Sequence, residues 1–298
     1  MMDRSFIDIH THGALDIDVN AASVEELHRL SEFFFERGVK GWMPTVMTDS
    51  EERMHRAVKT IAEAKKFQRS GALIMGIHLE GPFLSPVYSG AMPKELLLEG
   101  DSGLVERLQR AADGAIRIIT VAPEVNGVTA VIKAFSDSIA FSLGHSNATY
   151  QEGMDAIAAG AVSITHFCNA MRLFHMHEPG LMGAALESDV WCEVIADGIH
   201  LVPSAVRVLL KAKGKEKLMV VSDSMSAAGQ SDGEYLLGGN RVTVKDGDAK
   251  LSGTAIRAGS VLTMERAFEN MKKFTNWGDE EILPMFGANQ LAMLNATI

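Results

Sequence analysis

Short apolar, β-branched runs alternate along this chain with longer stretches in which apolar residues recur at helical spacing. The first run is Phe6-Ile7-Asp8-Ile9-His10. A helix follows, with Ser23 as N-cap, Val24, Leu27, Leu30 and Phe34 on one face, and Gly38 at its stop. Residues 41–47 make the second run. Its helix opens at Ser50, carries Met54, Ala57, Val58 and Ile61 on one stripe, and ends before Gly71. Further runs lie at 72–79, 116–121, 139–143, 162–165, 190–196 and 218–222. Between them lie helical stretches near 95–98, 104–112, 129–135, 150–159, 181–186 and 204–211. Eight strand-then-helix units in this order predict an α/β fold, a (β/α)8 TIM barrel. The competing arrangement, an open doubly wound sheet, usually begins with a glycine-rich phosphate loop, and no GxGxxG follows the first run here. After the eighth run the pattern breaks. Residues 224–257 are rich in Gly and Asp and alternate at Arg241-Val242-Thr243-Val244, which predicts a loop excursion carrying a small hairpin. Helical period returns at 261–274 and 280–294. With no repeat or linker, residues 1–298 read as one barrel.

Composition narrows the function. Of 298 residues, 47% are apolar and 22% charged, enough apolar surface to exclude a disordered chain. Cys168 and Cys192 are the only cysteines, which excludes a disulfide scaffold and fits a reducing cytoplasm. The net charge is −10 with no basic cluster, so no nucleic-acid partner is expected. No apolar run reaches the roughly 18–20 residues that span a bilayer, so no membrane partner is expected either. The start, Met1-Met2-Asp3-Arg4-Ser5-Phe6, has no signal-peptide core and enters a strand almost at once.

In a TIM barrel the active site gathers at the C-terminal ends of the strands. Strand one closes in His10-Thr11-His12, strand three in His78-Leu79-Glu80, and strand five in Gly144-His145. Strand six closes in His166 with Asn169 beyond it, strand seven leads into Asp197-Gly198-Ile199-His200, and strand eight ends in Asp223. Imidazoles and carboxylates at six of eight strand ends are what a hydrolytic divalent metal needs. His10 and His12, two apart on an extended segment, face the same way. By itself an HxH is a weak signal; the coincidence across six strands is a strong one. His78, two before Glu80, reads as structural. His175 and His177 fall in a loop, Cys168 reads as a small packed thiol with no adjacent base, and the 17 methionines read as core fillers.

These residues also carry a resemblance. Phe6–Gly13, Gly76–Phe83 (GIHLEGPF), Leu143–Thr149 (LGHSNAT), Thr165–Met171 (THFCNAM), Glu178–Leu181, Ala196–His200 (ADGIH) and Ser222–Gly229 resemble the N-acetylglucosamine-6-phosphate deacetylase family of metal-dependent amidohydrolases. The resemblance implies Glu80, His145 and His166 as ligands of a main metal, and His10 and His12 as ligands of a second ion bridged by the glutamate. It implies Asp223 as the acid/base, and Asn169, Ala170 and His200 at the sugar phosphate or sugar hydroxyls. The implied reaction is attack of a metal-held hydroxide on the acetamide carbonyl, giving glucosamine-6-phosphate and acetate. Asp223 takes the water proton and returns it to the leaving amine. One or two divalent ions are implied; Zn, Fe, Mn and Co suit these ligands alike. The implied partner is a small amino sugar phosphate, and the implied assembly is a homodimer.

Three departures from the family pattern matter. Met92 stands where members usually carry His or Gln, so a donor to the carbonyl is missing. His177 replaces an Arg before the Glu178-Pro179-Gly180 stretch; His lacks the bidentate fork for phosphate, and Arg172 nearby is the expected substitute. The strands of the family's accessory β-sandwich are largely absent from the sequence. The first two departures motivate an alternative: the same chemistry on another N-acyl sugar or amide.

Overall fold

A computed structural model describes residues 5–296. Eight parallel strands follow one another around a single sheet in chain order. They are β1 (Phe6–Thr11), β2 (Val39–Met47), β3 (Ile77–Glu80), β4 (Ile116–Val121), β5 (Ala140–Leu143), β6 (Ala161–Ile164), β7 (Trp191–Ile195) and β8 (Leu218–Val221). The helices between them are α1 (Val24–Glu36), α2 (Glu51–Phe67), α3 (Ser102–Ala111), α4 (Val128–Phe135), α5 (Tyr150–Ala158), α6 (Gly180–Glu187) and α7 (Pro203–Lys213). The expected TIM barrel is therefore the fold. Ser23 caps α1 in a reciprocal capping box with Glu26, and the Ser50 side chain caps α2.

The ring closes between β8 and β1 through polar bonds at the mouth. Asp223 N–H donates to the His10 carbonyl at 2.9 Å, and His12 N–H to the Ser224 carbonyl at 2.7 Å. Beneath them the Ser222 hydroxyl donates to Asp8 at 2.6 Å. Burial pushes the Asp8 carboxyl up to about 6, against the lowering effect of the Ser222 hydrogen bonds. At the other end of the seam Phe6 packs on Phe268 and Phe286, with ring centroids 5.4 and 5.3 Å away.

Three details differ from the sequence reading. The third run is split: Leu73–Ile74 pairs with Gly41–Trp42, and β3 then resumes opposite Thr45 with one residue more than its partner. Pro44 sits opposite the break, where its missing N–H leaves a gap in the ladder. The excursion is not a hairpin but a three-stranded antiparallel sheet of β9 (Gly233–Leu237), β10 (Asn240–Lys245) and β11 (Asp248–Leu251). Its two turns, Gly238-Gly239 and Asp246-Gly247, all have positive φ, as tight two-residue hairpins require. The last helical stretch is cut in two. After α8 (Met264–Thr275), α9 (Asp279–Ile282) passes into a 3₁₀ turn at Pro284, and α10 (Ala288–Asn295) starts afresh. Proline has no N–H to continue the helical ladder.

Most of the core lies inside the barrel and under the helices. A second cluster joins the excursion to the barrel mouth: Leu237, Val242, Val244 and Ala249 of the small sheet pack with Met47, Leu84, Met92 and Met225. That packing sets the excursion as one wall above the strand ends.

Candidate metal centre and active site

The site is built where β-strands end and the backbone turns sharply. His145, His166 and Asp223, each two residues beyond the end of β5, β6 and β8, have φ of 46°, 29° and 49°. Left-handed conformations are uncommon for residues other than glycine and cost about 1–3 kcal/mol each, though His and Asp adopt them more readily than most. The turn swings each side chain from the barrel axis into the mouth, where all three converge. Gly90 presses on the same place: a Cβ there would lie 3.0 Å from the His145 ring, and its φ is +58°.

Four imidazoles surround Glu80. His145 Nε2 and His166 Nε2 each lie 3.1 Å from Glu80 Oε1, and 3.0 Å from one another. His12 Nε2 lies 3.3 Å from Glu80 Oε2, and His10 Nε2 3.5 Å from Oε1. Asp223 Oδ1 stands 3.3 Å from His12 Nε2 and 3.6 Å from His10 Nε2. All six side chains are buried. The ligand-type atoms fall into two groups, Glu80–His145–His166 and His10–His12–Asp223, each spanning less than 4.8 Å.

The outer nitrogens explain the inward ones. His145 Nδ1 donates to the Tyr88 carbonyl at 2.9 Å, and His12 Nδ1 to the Thr45 carbonyl at 3.1 Å. His10 Nδ1 donates to Glu193 at 2.9 Å. Each bond fixes a tautomer whose Nε2 lone pair points at the cluster. Lone pairs this close repel unless a cation lies among them. Without a metal, protons fill that role. Burial opposes charge on His10 and His12, but Glu193, Glu80 and Asp223 outweigh it and push them up to about 9 and 10. The same imidazoles overcome burial and hold the Glu80 and Asp223 carboxyls well below their ordinary range. The donor set, four imidazoles with the Glu80 and Asp223 carboxylates among them, fits one or two divalent cations.

Above the cluster opens a cavity of about 390 Å³, of a size to take a small ligand. Asn169, Ala170 and His200 line it, as do Met92, Lys94, Leu237, Ile256 and Arg257. His200 is held by Asp197, whose Oδ2 accepts from Nδ1 at 2.6 Å while Oδ1 accepts from two backbone N–H groups. His177 and Arg172 do not join them. His177 lies on an exposed loop, and Arg172 is turned to the Asn147 side chain, 3.0 Å from its Nε. His78 is buried with both nitrogens bonded, to the Ile9 carbonyl and to Thr120, as a structural residue would be. Burial pushes the Cys168 thiol up to about 11, which leaves it inert.

Several site residues escaped the sequence reading. Glu193 carried a readable signal, a lone carboxylate inside the apolar strand Trp191-Cys192-Glu193-Val194-Ile195. Tyr88 and Thr45 act through backbone carbonyls, which leave no mark on side-chain identity. Lys94 and Arg257 reach the cavity from a loop and from the excursion, which no local pattern brings together.

A closed parallel barrel with buried imidazoles and carboxylates at its C-terminal mouth defines a metal-dependent hydrolase of the amidohydrolase type. The amidohydrolase family model matches residues 5–267, and the chain belongs to that family. It is 41% identical to the N-acetylglucosamine-6-phosphate deacetylase of Bacillus subtilis (strain 168), over 92% of this chain and 70% of that one. It is 34% identical to the N-acetylgalactosamine-6-phosphate deacetylase of Escherichia coli O157:H7, over 97% of this chain and 77% of that one. Among solved structures, it superposes with a TM-score of 0.92 on a mutant Mycobacterium smegmatis N-acetyl-D-glucosamine-6-phosphate deacetylase in complex with N-acetyl-D-glucosamine-6-phosphate. That match is 34% identical and covers 98% of this chain and 77% of the other.

Proposed function

We propose that the chain removes the acetyl group from N-acetylglucosamine-6-phosphate, giving glucosamine-6-phosphate and acetate. The observation that carries this reading is the convergence of four imidazole Nε2 atoms on Glu80, with Asp223 within 3.3–3.6 Å of two of them. A divalent ion bound there, of the Zn, Fe, Mn or Co class, supplies Lewis acidity and an acidified water. Glu80, His145 and His166 would hold a main ion, and His10 and His12 a second. Asp223 accepts the proton of the attacking water and delivers it to the amine nitrogen as the C–N bond breaks. The buried Met92 and Leu237 give the cavity apolar wall beside which an acetyl methyl sits. Asn169, the backbone at Ala170, and His200 take the sugar phosphate. His177 and Arg172 have no part in the cavity of their own chain, so Lys94 and Arg257 replace them here as cations for the phosphate.

Assembly and setting follow the same reading. Leu173 and Met176 are 74% and 81% exposed beside His177, and Phe174 is exposed between them. Such an apolar loop supports a homodimer interface. Cys168 and Cys192 are free thiols, which supports a reducing cytoplasm. Among the described residues no helix is long and apolar enough to cross a membrane.

A second reading keeps the chemistry and changes the sugar. The relative from Escherichia coli O157:H7 named for N-acetylgalactosamine-6-phosphate favours it. The deciding measurement is kcat/KM, by amine release, for both N-acetylhexosamine 6-phosphates and both unphosphorylated sugars. Preference for the gluco phosphate supports the first reading, and preference for the galacto phosphate the second. Equal turnover of unphosphorylated sugars overturns both, in favour of another N-acyl substrate.

A further inference from the structure

Glu193 is a buried ionisable group that the reaction leaves unused. It stands in the middle of β7, fully enclosed, and one of its oxygens makes two bonds. Oε2 accepts from His10 Nδ1 at 2.9 Å and from the backbone N–H of His166 at 3.0 Å. His10 belongs to one group of ligand-type atoms and His166 to the other. A single carboxylate oxygen thus ties a member of each group to a strand that supplies no ligand to either.

Glu193 also lies close enough to His10 and His78 to form a third acidic-imidazole group. That group is no metal site. Both His78 nitrogens are bonded, to the Ile9 carbonyl at 3.0 Å and to Thr120 Oγ1 at 2.8 Å. The His10 nitrogen that faces Glu193 is Nδ1, and its Nε2 faces the ligand cluster. The carboxylate is therefore behind the imidazole, where it orients the ring.

We propose that Glu193 is a positioning residue that builds the second metal position and links it to the first. By accepting the Nδ1 proton it holds His10 in the tautomer with an inward lone pair, and its negative charge makes that lone pair a stronger donor. By accepting the His166 N–H it holds the left-handed residue beyond β6 at a fixed distance from His10. The proposal rests on the reading of Glu80, His10, His12, His145 and His166 as metal ligands with Asp223 beside them, and is independent of the substrate.

The test is metal binding, by competition with a chromophoric chelator, using Co²⁺ on the metal-stripped full chain. The His10–His12–Asp223 group is measured in a His145→Ala background and the Glu80–His145–His166 group in a His12→Ala background. Glu193→Gln keeps an oxygen for both bonds but removes the charge; Glu193→Ala removes both. Glu193→Gln is expected to weaken Co²⁺ at the His10 group by about 10–100-fold, the usual effect of losing such a partner. Glu193→Ala is expected to weaken it at least as much, with a shift in the Co²⁺ absorption bands. If Glu193→Ala does not fold, as judged by its unfolding transition, Glu193→Gln alone decides. Less than a twofold change at the His10 group in Glu193→Gln, or a loss confined to the Glu80 group, overturns the proposal. If the parent chain with both groups intact binds no Co²⁺, the metal reading itself has failed, which is a different outcome.

Discussion

At the scale of single residues, the acid/base assignment rests on Asp223. Its carboxylate is buried, held ionised by His10, His12 and His166 against the pull of burial, and contacts His12 and His10. Asp223→Asn keeps an oxygen and the volume but cannot carry the proton. Metal content at the Glu80 group is expected to stay intact while kcat falls by about 10²–10⁴-fold. Near-normal turnover in a folded, loaded variant would remove Asp223 from the mechanism. The proton balance of metal uptake gives a second expectation. His10 and His12 hold protons up to about pH 9 and 10 in the metal-free protein. An ion entering their group must expel those protons, so its apparent affinity rises with pH. Between pH 6 and 8 the rise should be about ten- to a hundredfold per pH unit, for one or two protons released. Calorimetry in buffers of different ionisation enthalpy counts those protons; a count of zero contradicts the arrangement.

Elements decide what reaches the cavity. The loop after β3 brings Lys94 and Met92, and the excursion after β8 brings Leu237, Ile256 and Arg257. Arg257 already pairs with Asp248 at 3.0 Å, while Lys94 makes no ion pair among the described residues. Lys94 is therefore the cation most available to an anionic substrate. A hydrogen bond to a charged group contributes about 1.5–3 kcal/mol. Lys94→Ala should raise KM for the sugar phosphate by about tenfold or more and leave the unphosphorylated sugar almost unaffected. Equal changes for both sugars would assign Lys94 to some other task. The order of elements and their caps were legible from local pattern, because Ser23, Ser50 and the apolar stripes act within a turn or two of chain. The third strand of the excursion was not. Asp248-Ala249-Lys250-Leu251 alternates, but over only four residues and without a β-branched or aromatic side chain, and it forms because β10 offers it a partner.

For the whole molecule, burial of a neutral imidazole at the barrel centre links stability to pH. Burial, helped by the charge on His10, pushes His78 down to about 3. Its ordinary value in the unfolded chain is about 6.5. The stability it confers is complete above that value and is lost as pH falls from 6.5 towards 3, because the unfolded chain takes up a proton the native state refuses. The slope is about 1.4 kcal/mol per pH unit for one proton. His10 and His12 act with the opposite sign in the metal-free chain: what they contribute is lost as pH rises through about 9 and 10. Urea unfolding of the metal-free chain at several pH values, compared with His78→Gln, should show the extra acid slope in the parent. Parallel slopes would place the lost protons on other groups.

By itself the sequence determined the strand-helix alternation, hence the barrel, and the five strand ends that carry His10, His12, Glu80, His145, His166 and Asp223. Both depend on local pattern, since a strand's C-terminal residue faces the mouth in any such barrel. Only the tertiary structure decided which nitrogen His10, His12 and His145 turn inward, because Glu193, Thr45 and Tyr88 come from distant parts of the chain. It also decided that His177 and Arg172 stay outside the cavity and that Lys94 and Arg257 enter it. Sequence distance says nothing about which loop folds over which strand end; that is set by the packing of the excursion on Met47, Leu84, Met92 and Met225.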